Sequence, residues 1–533
     1  MKRSKVISII LLLIIVGVYY YLFLPVINIH SPSFWAFIVF GLIVFMFLFS
    51  TVTIFDFKTK FRTRFNALPK IILIPAAVIV LICIGQIVVN FFASPIFNAK
   101  SYHRRISVDE TGDFSKDIKE VDFKRIPLLD RDSSEKLGDR IMGQMSEYVS
   151  QFYVSDEYTQ INYNNDIVRV TPIEYDGFIK WITNRKKGIN AYITVNSVNG
   201  KTKLTKLDRG LKYLPSAYFN ENLNRKLRFK YPTTVLGTAK FEIDEEGQPY
   251  YVAPTLKYTG VGLKTKITGA VIFDPITGKS HKYKMKDVPS YVDNVYYADL
   301  VIEQINDWGK YKKGFINSKF GQKNVVNTTD GYNYLALGDD IYLYTGITSV
   351  VSDESNLGFV LANLRTGETT FYSVPGAEEY SAMESAEGQV QEMKYKSTFP
   401  LLISLNGNPT YLVSLKDAAG LVKMYGFVDA VDYQKVVVTD MKQGIEKAAL
   451  NYLENYGEEI SESLLVKETI TVKKITSAVI DGNTYYYITS TDDKKFRVAL
   501  KVSSSLPFVS SGDQITIGYQ ASEKSVLEIN TIY

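Results

Sequence analysis

Cysteine occurs once in the sequence, as Cys83, and histidine three times, as His30, His103 and His281. A single thiol excludes a disulfide framework within the chain. Three widely separated histidines with no cysteine beside them do not supply the ligand set of a zinc site. An excess of one charge is missing too: 61 Lys and Arg stand against 56 Asp and Glu, a net +5, with no basic tail or stripe. Nucleic acid is therefore not expected as a partner. A soluble part without cysteine suits an exported bacterial domain that does not depend on oxidation.

Charge is absent altogether from three runs, about Val6 to Ile27, Phe34 to Phe55 and Ile71 to Phe92, which contain no Asp, Glu, Lys or Arg. Each matches the roughly 20 apolar residues needed to cross a hydrocarbon core. Gln86 and Asn90 are the polar exceptions in the third. Spans without ionisable groups read as an anchor, since transport pathways place such groups in the membrane. The first run is longer than a signal-peptide core and no A-x-A-like site follows it, so it reads as a signal anchor. Lys2, Arg3 and Lys5 precede the first span, and Lys58, Lys60, Arg62, Arg64 and Lys70 follow the second, whereas Asn28 to Ser33 carries no Lys or Arg. Basic loops stay in the cytoplasm, which predicts a cytoplasmic N-terminus and an extracytoplasmic domain after the third span.

After this membrane region (1–95) a β-rich signature recurs: an apolar alternating run, then Asp or Asn, then Thr-Gly or Asn-Gly. It stands as AYITVNSVNGK from Ala191, AVIFDPITGK from Ala270 and FVLANLRTGE from Phe359. Asn196, Asp274 and Asn363 correspond, as do Gly200, Gly278 and Gly367. Each predicts a strand, a tight turn needing glycine, and a returning strand. A helical pattern precedes each signature. The first starts at Asp132 as cap, with Glu135 three residues on and Leu137, Ile141, Met145 and Val149 at helical spacing. The others start near Ser216, Tyr297 and Ala377, about 80 residues apart, the spacing of an internal repeat. Hairpins with a shared Gly-x-Pro-x-Tyr turn at Gly247 and Gly407 fill the gaps. The fourth unit ends at Asp429, with no Thr-Gly after it.

The expected fold is α+β: three transmembrane helices, an α+β repeat region (96–440), a linking helix (441–466) with Ile445, Ala449 and Leu453 on its apolar face, and a small β-barrel (467–533). Five strand-like runs divided by turns at Asp481-Gly482, Asp492-Asp493, Ser503 to Ser505 and Gly512-Asp513 suggest an OB-like Greek key. Tyr485, Tyr486, Tyr487 and Lys495 only loosely supply the groove of a nucleic-acid- or sugar-binding barrel.

The strand followed by D-x-x-T-G at Asp274, Thr277 and Gly278, and less fully at Asn363, Thr366 and Gly367, resembles the PepSY-type domain of exported bacterial proteins. Tyr344 to Asp432, with YTGITS, SNLGF and PTYLVSLKDAAGLVK, is similar to a family of uncharacterised bacterial membrane proteins. The first resemblance implies a regulatory, non-catalytic module that restrains a protease or serves the cell envelope. The second implies no activity.

Candidate chemistry is sparse. Asp130 and Asp132 lack the glycine of a calcium loop and read as helix caps. Ser133-x-x-Lys136 has the spacing of a serine–lysine nucleophile but none of the accompanying motifs, and reads as a solvent-facing first turn. Gly260-Val261-Gly262 lacks the rest of a phosphate loop. Asp339-Asp340 could serve as acid and base but reads as a turn opening a strand. NRKLRFKY, from Asn224 to Tyr231, sets Arg225, Lys226, Arg228 and Lys230 beside aromatics; it reads as anionic lipid or polymer contact or as a solvated helix face. The 38 tyrosines read as a ligand groove or simply as strand formers.

No catalytic, cofactor-binding or metal-binding residue is assigned. The expectation is a membrane-anchored extracytoplasmic binding, scaffold or regulatory protein of the bacterial envelope, partnered by the lipid bilayer and by other envelope or membrane proteins. The alternatives are a hydrolase of envelope polymers using Asp339, Asp340 or Asp353, and an accessory subunit of a transport or secretion complex.

Overall fold

The computed structural model describes residues 2–54, 61–350, 352–457, 460, 462–480, 482–520 and 525–533. Three helices are long and apolar enough to cross a membrane, over Lys5–Phe23, Pro32–Ile54 and Lys70–Ala93. Their Ile, Leu and Phe side chains point outward with almost none buried, the pattern of helices whose solvent is lipid. The first helix stops at Phe23, short of its apolar run, because Pro25 cannot continue it and Leu24 takes a φ of 52°. The third begins at Phe61, so part of the basic connection is helical; Lys58 and Lys60 lie outside the described residues.

The chain forms two compact units, Met1–Gly112 with Pro127–Ser373, and Asp113–Ile126 with Val374–Tyr533. The first holds the spans and three repeats of one design. Repeat 1 has a helix at Arg131–Gly143, then strands Phe152–Val154, Thr159–Tyr163, Asp166–Tyr175, Ile189–Asn196 and Thr202–Leu211. Repeat 2 has a helix at Leu223–Lys230, then Val235–Leu236, Lys240–Ile243, Pro249–Thr259, Lys264–Phe273 and Ser280–Lys284. Repeat 3 has a helix at Ala298–Tyr311, then Val326–Thr328, Asn333–Leu337, Asp340–Ser349, Ser352–Asn363 and Thr369–Tyr372. In each, both short leading strands pair with the long third strand, and the third, fourth and fifth run as an antiparallel meander. Val108–Gly112 adds a parallel edge strand to the third sheet.

The recurring turn is the same object each time. Asn196, Asp274 and Asn363 each accept from two following backbone amides, at 2.8–3.1 Å. Gly200, Gly278 and Gly367 close it at φ of 73°, 73° and 78°, a left-handed conformation that favours glycine. The chain entering each repeat then hooks onto that repeat's own turn: Leu129 donates to Ser197, Tyr213 to Pro275 and Tyr296 to Leu364. Here lies one correction to the sequence reading. The first helix is capped by Asp130, which accepts from the Ser133 amide, while Glu135 pairs with Arg131. Asp132 sits inside the first turn. The helix also ends before Val149, which is exposed on a separate short turn.

The second unit carries a fourth repeat of the same topology. Its helix is Glu379–Gly388 and its strands are Lys396–Ser397, Leu401–Leu405, Asn408–Lys416, Val422–Asp429 and Val436–Asp440. Asp429 makes the same side-chain turn without glycine, and Ala377 hooks onto Ala430. The early segment Asp113–Ile126 belongs here, through Val121 donating to Ser404 and Glu120 accepting from the Asn406 amide. The helix Ile445–Tyr456 buries Ala448, Ala449, Leu450, Tyr452 and Leu453.

Strands Val466–Ile480, Asn483–Ser490, Lys495–Ala499, Gln514–Tyr519 and Leu527–Ile532 close the C-terminal barrel in the order one-two-three-five-four. One long first strand serves both sheets, bending at an irregularity between Val472 and Lys474. The third and fifth strands run parallel. This is the OB-like Greek key expected from the turn spacing, filled by Val472, Ile488, Phe496, Val498 and Leu506. Asp481 of the first turn lies outside the described residues.

Candidate functional site

Where the three repeats of the first unit converge, a cavity of about 420 Å³ opens between them. That volume suits a small organic molecule. Repeat 1 supplies Arg131, Tyr158, Thr159, Gln160 and Arg169. Repeat 2 supplies Thr238, Lys240 and Pro254, and repeat 3, with the chain leading into it, supplies Tyr296, Tyr297, Tyr332 and Tyr334.

Arg169 and Gln160 are direct cross-strand partners on the third and second strands of repeat 1, which presents them together. Arg169 is 5% exposed, and among the described residues it forms no ion pair and its Nε has no hydrogen-bond partner. Thr159 Oγ1 and both amide atoms of Gln160 are buried and unpartnered as well. The other basic groups of the cavity are committed: Arg131 to Glu135 and to the Asp156 carbonyl, Lys240 to Glu157. Burial pulls the Arg169 guanidinium below its ordinary pKa, with Tyr334 and Asp130 opposing. Arginine nonetheless stays charged at any physiological pH, so the cavity holds one buried cation with no direct ion pair among the described residues; Asp130 acts on it from a distance and Asp299 lines the same cavity. Such a charge costs several kcal/mol unless an anion reaches it.

Buried carboxylates brace the same junction. Glu242 accepts from the Asp293 and Asn294 amides, the Asn294 side chain and the Tyr250 hydroxyl. Asp293 accepts from the Asn162 amide of repeat 1, and Asn294 donates to the Gln160 carbonyl. Burial pushes Glu242 up to about 7, and burial beside the Glu242 charge pushes Asp293 well above the carboxylate range. The pair therefore holds a proton near neutrality. In repeat 1, burial likewise pushes Glu174 up to about 7, against the Ser216 amide and hydroxyl that donate to it.

Of the residues singled out from sequence, Asp339 and Asp340 border this same junction, where their charges act on Asp293, and the others fall elsewhere. Asp340 is gripped by Arg365 and by the Asn363 side chain, and Asp339 accepts from Asn162 at 2.8 Å. They face different partners: Asp340 braces the turn of repeat 3, and Asp339 ties that repeat to Asn162 of repeat 1. The side chain of Asp353 lies outside the described residues. Ser133 is buried, not solvent-facing, and its amide is the one Asp130 caps. Gly260 to Gly262 forms a hairpin tip against the spans: Asn90 donates to Val261 and accepts from it, and His30 bonds the Gly260 carbonyl. His103 bonds the Trp308 carbonyl. No cluster of three metal-ligating side chains occurs among the described residues.

In the basic segment Arg225 and Arg228 are committed within the chain, while Asn224, Phe229 and Lys230 are exposed. Arg225 donates to Tyr21 O and Arg228 to Leu24 O, so two cations cap the C-terminal end of the first span, where the helix dipole is negative. On the barrel, Arg497 stacks on Tyr485 and pairs with Glu528. The tyrosines divide: Tyr192, Tyr251 and Tyr344 fill cores, while Tyr158, Tyr296, Tyr297, Tyr332 and Tyr334 line the cavity. Arg169 escaped the sequence reading because it sits in DIVRVTPIEY, which reads as one more apolar strand. A lone arginine in such a run was the available signal. No protein-family model matches the chain, and no curated protein matches it.

Proposed function

We propose that this chain is a membrane-anchored, extracytoplasmic binding protein of the bacterial cell envelope, regulatory and not catalytic. Its three-repeat junction takes a small organic oxyanion, a carboxylate or phosphate carried on a flat or apolar body. The observation that carries this reading is Arg169, buried without a direct ion pair in a tyrosine-lined cavity, beside the unpartnered side chains of Thr159 and Gln160. A guanidinium recognises planar oxyanions through paired N–H donors, and tyrosine faces suit an apolar body.

The orientation is supported by the end of the spans that meets the repeats. Asn28, His30 and Asn90 contact them, and the connection at that end is the one without Lys or Arg, whereas basic loops stay in the cytoplasm. The recurring Asx-Gly turn supports kinship with PepSY-type modules and, with it, a restraining role toward an envelope partner. The commitment of Asp339 and Asp340 to structural partners supports binding over hydrolysis.

The test uses the full chain in lipid nanodiscs, with benzoate and inorganic phosphate as separate probes. Thermal stabilisation by at least one probe, with no turnover of peptide, glycan or phosphoester substrates, is the expected result. Turnover that disappears in Asp340→Asn would replace this reading with the hydrolase.

A further inference from the structure

Two surface insertions interrupt the repeat design, and both lie beside the outer ends of the spans. In repeats 2, 3 and 4 the third and fourth strands are joined by short turns, but in repeat 1 a helix, Phe178–Asn184, intervenes. That helix buries Trp181 and turns Phe178, Ile179 and Ile182 outward, with Ile179 66% exposed. Phe178 and Trp181 meet Phe219, with ring centroids 6.3 and 5.7 Å away, and the Phe219 carbonyl accepts from Arg225. Arg225 in turn lies over the Tyr21 ring at 4.3 Å. Phe229, also exposed, reaches Tyr20 at 5.8 Å. One apolar surface thus continues from the end of the first span onto repeat 1.

The second insertion lies in repeat 3, between its helix and its first strand. Gly314–Ile316 and Asn317–Gly321 leave Ile316 75% and Phe320 84% exposed. Gly314–Ile316 packs beside Pro95–His103, the helix that follows the third span and exposes Ile96 and Phe97. Tyr102 meets Tyr311 at 5.8 Å, and Phe97 meets Phe91 at 5.2 Å. Lysines rim both patches. Lys186 and Lys187 follow the first wedge in the chain, in a depression they share with Glu147 and Asp208, and Lys313, Lys319 and Lys323 flank the second in the chain; none of these five has a direct ion pair among the described residues.

Isolated exposed apolar residues need no explanation, but clustered ones rimmed by cations do. The geometry points to these two wedges as membrane-interface feet, seated in the headgroup region of the bilayer that the spans cross, with the lysines on anionic phospholipid. The occupant follows from position: each wedge is continuous with a span end, where aromatic and basic residues anchor at the interface. Two feet at the outer ends of different spans also fix the tilt of the repeats over the membrane, which a single tether would not. This inference does not depend on the ligand of the junction cavity.

The test places an environment-sensitive fluorophore at Ile179→Cys and at Phe320→Cys, each in a Cys83→Ser full-length background. A Glu246→Cys label, in the exposed turn at the far end of the repeat 2 strand whose other end meets the spans, is the solvent reference. The protein is reconstituted in vesicles of phosphatidylcholine with phosphatidylglycerol. The expected result is blue-shifted emission at 179 and 320, most of it lost to lipid-borne nitroxide and little to aqueous iodide, with the reverse at 246. Iodide quenching at 179 and 320 without nitroxide quenching would overturn the proposal. So would protection from both quenchers, which would assign the wedges to a protein partner or a second copy.

Discussion

The amide of Tyr296 donates to the carbonyl of Leu364 at 2.8 Å, and the ring of Tyr296 lies over Gly367 in the same turn. Tyr213 repeats the arrangement with Pro275 and Gly278. Each repeat is therefore closed by its first residues gripping its last hairpin, a contact between distant parts of the chain that completes the unit.

Two glycines of repeat 3 separate backbone strain from crowding. Gly338 has φ 64° with nothing within 4 Å of an added Cβ, whereas Gly367 has φ 78° with the Tyr296 ring 2.3 Å away. Gly338→Ala is expected to cost about 1 kcal/mol from φ alone. Gly367→Ala adds overpacking and is expected to cost about 2–4 kcal/mol in total. Hydrogen exchange of the repeat 3 strands measures both, and equal costs would remove the clasp from the account.

Arg105, just past the third span, donates to Asp307 and Glu303 of the repeat 3 helix and to the Thr265 carbonyl of repeat 2. Both Arg105 and Asp307 are buried. Arg105→Ala leaves the buried Asp307 carboxylate with only Lys264, at 3.9 Å, and is expected to cost about 3 kcal/mol. Denaturant unfolding of the full chain in detergent reads it, and a loss within about 0.5 kcal/mol, typical of a surface substitution, would contradict a buried pair.

Glu174 titrates near 7 in the folded chain and near the ordinary carboxylate value when unfolded. The folded state thus keeps a proton that the unfolded state has released, so this group's contribution to stability is fully present below about pH 4.5 and is lost as pH rises through about 7. The shift corresponds to about 3 kcal/mol. Glu242 and Asp293, raised for the same reason, act in the same direction. Urea midpoints between pH 5 and 8 should therefore decline, and Glu174→Gln should flatten part of the slope. A midpoint that rises with pH through this range contradicts the assignment.

The sequence disclosed what depends on composition and short-range pattern. Charge-free runs reveal spans because bilayers exclude charge, and Asn196, Asp274 and Asn363 reveal the repeat because each makes its turn locally. Contacts between distant segments stayed hidden. Arg225 and Arg228 look like a basic face until the first span's carbonyls are seen beneath them. Asp113–Ile126 gives no local sign that it joins the fourth repeat. Arg169 gains meaning only where three repeats close around it, and both membrane feet are insertions that follow no repeat.

The central claim is that Arg169 is kept for a ligand at the expense of stability, and Arg169→Met tests it most directly. Thermal unfolding and benzoate or phosphate binding are measured on wild type and variant in nanodiscs. The account predicts opposite changes: the unliganded variant is more stable by about 1–4 kcal/mol, because a buried unpaired charge has become well-packed hydrocarbon, while probe binding weakens at least tenfold, about 1.4 kcal/mol. A variant that is less stable than wild type and binds the probe equally well would make Arg169 a structural residue and contradict the account.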